Sequence, residues 1–189
     1  MSYDVSMSNP TSSPFHKFQG PRLIGLLAVF VAYTAWYVGP GFFGDMLRLQ
    51  GHISLQEKGF YTGFEAVEIL GRLDETGRKT KLLALIFDVP YMILQALVFE
   101  ALIAFGIRHM KPKNLKWNLL FILPIGFLLA DFAEDSFLAL TLTTGSSVLG
   151  TIAGFMTALK FATFIPAIIL SLSMGLGGLI AWYKGRKNS

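Results

Sequence analysis

Apolar and polar residues fall into long blocks along this chain rather than into a fine alternation. Uncharged apolar residues dominate 23–43, a mixed polar stretch covers 44–81, and further apolar runs occupy 82–107, 117–143 and 148–183. Each run reaches or exceeds the roughly 20 residues that carry a helix across a bilayer. The pattern predicts an all-α fold, a four-transmembrane-helix bundle formed by residues 21–183. Residues 1–20 read as a disordered polar tail and 184–189 as a short basic one. The first run is too long for the core of a signal peptide and no small-residue cleavage motif follows it, so it is expected to remain as an anchor. The fourth run, about 54 Å long if fully helical, must tilt, bend near Pro166 or the Gly175/Gly177/Gly178 group, or protrude.

The polar stretch 44–81 carries six basic and six acidic side chains. Within it Thr62-Gly63-Phe64-Glu65 has the form of a capping box, which starts a helix there. Phe64, Val67, Leu70 and Leu73 then recur at three-residue steps beside Glu65, Glu68, Arg72 and Glu75, and Gly77 offers a stop. An amphipathic helix between spans one and two is therefore expected, lying on the membrane or capping the bundle. Its polar face is mixed rather than basic, which suits packing better than lipid sensing.

Composition agrees with the membrane class. Hydrophobic residues make up 53% of the chain and charged residues only 15%, against about 25% in soluble domains. The net charge of +4 does not point to nucleic acid, because the basic residues are sorted by position. Lys17, Arg22, Arg108, Lys111, Lys113, Lys116, Lys184, Arg186 and Lys187 share one side of the predicted topology, and the 143–147 turn opposite has none. The positive-inside rule then puts both termini in the cytoplasm and the 44–81 loop on the other face. Cysteine is absent, which excludes disulfides and thiolate metal sites. His16, His52 and His109 lie in three separate polar segments, so a histidine metal site is not expected, nor is any cofactor.

The chemistry concentrates in Ala130-Asp131-Phe132-Ala133-Glu134-Asp135, three carboxylates inside an apolar run. Their i, i+3, i+4 spacing sets them on one helical face. Counted from the inner edge, Asp131, Glu134, Asp135, Asp88 and Lys160 fall about 21–33 Å up, the outer third of the bilayer. Lys160 is read as the one base within a span and is expected to pair with Asp131 or Glu134. A polar pocket opening outward and lined by Asp88, Tyr91, Asp131, Glu134 and Lys160 would suit a cationic or zwitterionic head group, or a proton. The alternative is a purely structural network that locks helices where lipid supplies no hydrophobic drive. Asp135 and Asp88 belong to the same polar cluster, and for these two a structural role is favoured, since either could reach head groups from the boundary. Glu100, about 12 Å above the inner edge, has no charged counterpart at its level. Gly175, Gly177 and Gly178 read as a helix-packing site, and Ser171 and Ser173 as bonded to their own helix.

Four motifs, Gly77-Arg78, Phe87-Asp88-x-x-Tyr91, Asp131-x-x-Glu134-Asp135 and Thr157-x-x-Lys160, resemble those of an uncharacterised family of small four-span integral membrane proteins. The resemblance covers about residues 25–165 and differs in carrying Asp135 where the family tends to have Asn. It implies the architecture and a shared polar centre, and no activity. Two functional classes follow. One is a non-enzymatic membrane protein whose cluster binds a lipid, ligand or partner or locks the helices. The other is a small carrier or membrane enzyme using Asp131 and Glu134, with Lys160 as counter-charge, for proton or cation handling. Expected partners are membrane lipid, a second copy of the chain, and a lipid or small-molecule ligand.

Overall fold

A computed structural model describes residues 20–39, 55, 58–111 and 115–187. Five α-helices account for most of them: α1 (Pro21–Tyr37), α2 (Gly63–Gly71), α3 (Glu75–Met110), α4 (Ile122–Thr144) and α5 (Ser147–Lys187), with a 3-10 helix at Leu115–Phe121 leading into α4. No strand occurs among the described residues. Helices α3 and α5 are long and apolar enough to cross a membrane. The predicted tail and most of the 44–57 segment lie outside the described residues.

Helix boundaries follow from local chemistry. Helix α1 stops at Tyr37, short of the predicted 43, because Val38 and Gly39 precede Pro40, whose ring disfavours helical backbone just before it. The capping box of α2 forms as the spacing predicts: Glu65 N–H donates to the Thr62 hydroxyl at 3.3 Å, and Thr62 N–H donates back to the Glu65 carboxylate at 3.1 Å. The Lys58 ammonium, 2.7 Å away, holds the Glu65 carboxyl below its usual range. Gly77 is not the stop. Helix α2 ends at Gly71, and Asp74 starts α3 by accepting the Gly77 N–H at 2.7 Å, so Gly77 sits in the first turn of the next helix. Nor does Phe64 face inward; it is 80% exposed, and α2 buries Gly63, Ala66 and Leu70.

Helix α3, with 36 residues, is about 54 Å long and α5, with 41, about 62 Å. The first is longer than predicted because the charged turn 75–81 continues it. Pro90 and Pro166 lie inside these helices, each removing one rung of the hydrogen-bond ladder. Helix α4 closes on Gly145, whose φ of 69° is the left-handed cap, with its N–H on Thr141 O at 2.8 Å.

Helices α3 and α5 run parallel with α4 antiparallel to both. The backbones of α3 and α5 touch where small residues meet: a Cβ on Gly178 would lie 2.9 Å from Gly106 Cα, and one on Gly106 2.4 Å from Met174 O. Helix α1 packs chiefly along α3 through aromatic residues, Tyr33 and Tyr37 donating to Phe87 O and Ala84 O. Two apolar clusters result. The outer one, at the α2 end of the bundle, gathers Tyr61, Leu70, Leu85, Leu138, Leu142 and Ala153, and the inner one, toward the Met110 end of α3, Val98, Phe99, Phe127 and Ala167. The charged residues lie between them.

Candidate functional site

Each of the three long helices brings ionisable groups to the gap between the clusters. Helix α4 passes Phe127 in the inner cluster, then Asp131, Glu134 and Asp135, then Leu138 in the outer one. The three acids are 5%, 0% and 4% exposed, while Leu129 and Phe132 beside them are more than half exposed. Helix α5 answers with Lys160. Its Nζ lies 2.9 Å from Asp131 Oδ1 and 2.5 Å from Glu134 Oε2, so one ammonium serves both acids. One turn further out, the Thr157 hydroxyl donates to Glu134 Oε1 at 2.7 Å. Both oxygens of Glu134 are thus engaged by α5.

Helix α3 contributes Asp88, half-buried. One carboxylate oxygen each from Asp88, Asp131 and Asp135 lies within 4.8 Å of the others. Asp88 and Asp135 thus turn inward to the shared centre rather than out to head groups. Tyr91 is half-buried, stacks on Phe30 and Tyr33 of α1, and lies within the fields of Asp88 and Asp131. The cleft of about 300 Å³ nearby lies farther out, lined by Val67, Leu70, Arg78 and the Thr141–Gly145 end of α4. Of the residues expected to line an outward-opening pocket, Asp131, Glu134 and Lys160 meet in direct contact.

Three participants escape a reading by hydropathy. Lys81 stands within the fields of Asp135, Asp88 and Glu134, so Lys160 is not the one base at this centre. The signal was available: Lys81 precedes Asp88 by seven residues, two helical turns on one face, but a span begun at 82 leaves it in the loop. Tyr37, donating to Ala84 O, lies in the fields of Asp88 and Asp135 from the α1 side. Tyr61, fully buried in the segment before α2, lies in the fields of Glu134 and Asp135. Burial pushes its phenol above the ordinary value, so it stays protonated. Nothing in the local sequence marks it.

The Gly77-Arg78 motif also has a structural explanation. Arg78 donates from Nε to Leu73 O at 3.3 Å and from Nη1 to Leu142 O at 3.5 Å, tying the chain after α2 to the last turn of α4. The Leu142 carbonyl, in the last turn of α4, is one of those a helix end leaves without an intrahelical partner.

Glu100 stands apart. It is 2% exposed, and neither carboxylate oxygen has a hydrogen-bond partner among the described residues. A lone buried carboxylate costs several kcal/mol. Glu100→Gln, which keeps the shape and removes any charge, is expected to leave stability unchanged or raise it by about 1 kcal/mol. Thermal unfolding of the purified variant checks this, and a loss of more than that would mean the carboxyl has a role of its own. Ser171 and Ser173 donate to Ile168 O and Ile169 O of their own helix.

No protein family, curated protein or solved structure matches the chain. The site's own geometry therefore carries the functional reading.

Proposed function

We propose that this chain is a multi-pass membrane protein of four spans, α1, α3, α4 and α5, with both termini cytoplasmic and α2 on the opposite face. Its buried ion network keys the helices together and forms the centre of a non-enzymatic binding module. Membership of the small four-span family that its motifs resemble is part of this proposal, as are lipid and a second copy of the chain as neighbours.

One observation carries the reading. Lys160 is held between Asp131 and Glu134 away from the surface, while the same helices turn Leu129, Phe132, Leu159 and Ile169 outward. Charge inside and hydrocarbon outside is the arrangement a lipid solvent selects. Length supports the two remaining spans. Helix α4, with 23 residues, reaches about 35 Å, and α1, with 17, about 26 Å, against a core of roughly 30 Å. The three acids of α4 lower its hydropathy, yet all three are hidden from the lipid side. Binding is favoured over catalysis because Asp131 and Glu134 are already paired with Lys160 by direct contact and the buried Ser171 hydroxyl is bonded to its own helix.

A chain without cysteine is suited to labelling of single introduced thiols. Lys58→Cys and Ser146→Cys are expected to react with an impermeant maleimide from the non-cytoplasmic side, and Lys111→Cys and Gly185→Cys from the cytoplasmic side only. Labelling of Lys111→Cys and Ser146→Cys from the same side would rule out α4 as a span.

A further inference from the structure

The cleft of about 300 Å³ between α2, the start of α3 and the end of α4 lies at the lower end of the size range of small-ligand sites. Its chemistry is divided. Val67 and Leu70 give it an apolar wall on the α2 side, and Arg78 is the one charged residue in its lining. The guanidinium is held in place rather than left to swing. Its Nε donates to Leu73 O and its Nη1 to Leu142 O, while the Nη2 end makes no bond among the described residues. A planar guanidinium fixed in this way presents N–H groups suited to a phosphate.

A purely negative partner does not match the rest of the site. Thr143 and Thr144 bring the last turn of α4 to the same cleft, and the C-terminal end of a helix carries partial negative charge. Of the carbonyls there, Thr141 O accepts from the Gly145 N–H and Leu142 O from Arg78, while those of Thr143 and Thr144 accept no bond among the described residues. Positive donors on one side and bare acceptors on the other complement a ligand with a phosphate and an ammonium a few atoms apart. A primary ammonium fits better than a quaternary one, because only N–H groups satisfy carbonyl acceptors. The apolar part of such a ligand has a place too. Leu140 stands one turn before Thr144 on the same side of α4, and the stripe continues through Phe132 and Leu129; the three are 47%, 53% and 63% exposed. A chain leaving the cleft runs onto that stripe, which favours a membrane lipid over a soluble zwitterion.

We propose that this cleft binds the head group of a zwitterionic phospholipid with a primary amine, of the phosphatidylethanolamine class. Arg78 takes the phosphate through Nη2, the Thr143 and Thr144 carbonyls take the ammonium, and an acyl chain lies along Leu140, Phe132 and Leu129. The lipid joins α2 to the outer end of α4, so its binding stabilises the fold. The inference deepens the binding-module reading and rests on it, since it needs α4 to stand in the non-cytoplasmic leaflet.

The test is a thermal melt of the purified full chain in mild detergent, titrated with short-chain phosphatidylethanolamine, with native mass spectrometry counting bound lipid. Phosphatidylethanolamine is expected to raise the Tm saturably at one molecule per chain. Phosphatidylcholine, which lacks ammonium N–H groups, and phosphatidylglycerol, which lacks the ammonium, should each need about tenfold more, the loss of a charge-assisted hydrogen bond. Arg78→Gln is expected to weaken binding by about tenfold or more, and Gly71→Leu to abolish it. Gly71 lines the cleft and a Cβ on it would meet nothing within 4 Å, so leucine fills the space without a clash, and this variant carries the test if Arg78→Gln does not fold. No shift with phosphatidylethanolamine would overturn the proposal, as would equal shifts with all three lipids or unchanged binding in Gly71→Leu. An equal shift with glycerophosphoethanolamine, which has no acyl chains, would overturn the lipid in favour of a soluble zwitterion. Thiol labelling judges the membrane reading separately: a normal labelling pattern with no lipid preference sinks this site and leaves the topology standing.

Discussion

Replacing Lys160 by methionine is expected to destabilise the bundle by about 3–5 kcal/mol, the cost of breaking a buried ion pair from one side. The ammonium touches Asp131 and Glu134 together, so its loss strands two carboxylates, with the Thr157 hydroxyl as the remaining donor to Glu134. Asp131→Asn alone should cost less, because Lys160 keeps Glu134 and the amide can still accept its hydrogen bond. The triple change Lys160→Met, Asp131→Asn and Glu134→Gln is expected to recover most of the loss, since neutral groups of similar volume remove the desolvation problem along with the attraction. Unfolding in a mild detergent, followed as the fraction of monodisperse protein against temperature, measures all three. Wild-type stability in Lys160→Met would mean that the network does not hold α4 to α5.

The second large effect is expected at Gly154. A Cβ there would lie 2.0 Å from Tyr61 O and 3.0 Å from its carbonyl carbon, backbone atoms that cannot swing aside. Gly154→Ala therefore forces the segment before α2 off α5, at the upper end of the about 1–3 kcal/mol of overpacking or beyond it. The damage should be local. Amide hydrogen exchange is expected to rise across 58–71 and at the outer end of α5, and to remain unchanged around Phe99, Phe127 and Ala167. Gly71→Ala is the contrast, since its Cβ would meet nothing within 4 Å, and it should stabilise α2 by up to about 1 kcal/mol. If both variants melt alike, the Tyr61–Gly154 contact does not matter in solution.

Much of this fold is legible along the chain because apolar runs of helix length leave few alternatives, and because caps are local. Thr62, Asp74 and Gly145 mark their boundaries through bonds spanning three or four residues. The pairing of Lys160 with the acids is legible too, since i, i+3, i+4 spacing and helix depth are arithmetic on sequence position. Phe64 and Gly77 mislead for a physical reason. An apolar residue can stand on the exposed side of a short helix, as Phe64 does, so three-residue periodicity does not say which stripe is buried. A glycine stops a helix only where no stronger start signal lies close by, and Asp74 supplies one.

By itself the sequence determined that this protein is helical, which runs are long and apolar, and which helices carry charge. It did so because backbone hydrogen bonding, side-chain hydropathy and helical pitch act over a few residues. Tertiary structure alone decided that Lys81 joins the acids and that Tyr61 reaches the same centre from a loop. Those choices depend on the rotation of each helix about its own axis and on where Gly63, Gly106, Gly154 and Gly178 let backbones touch. No residue's immediate neighbours along the chain specify either.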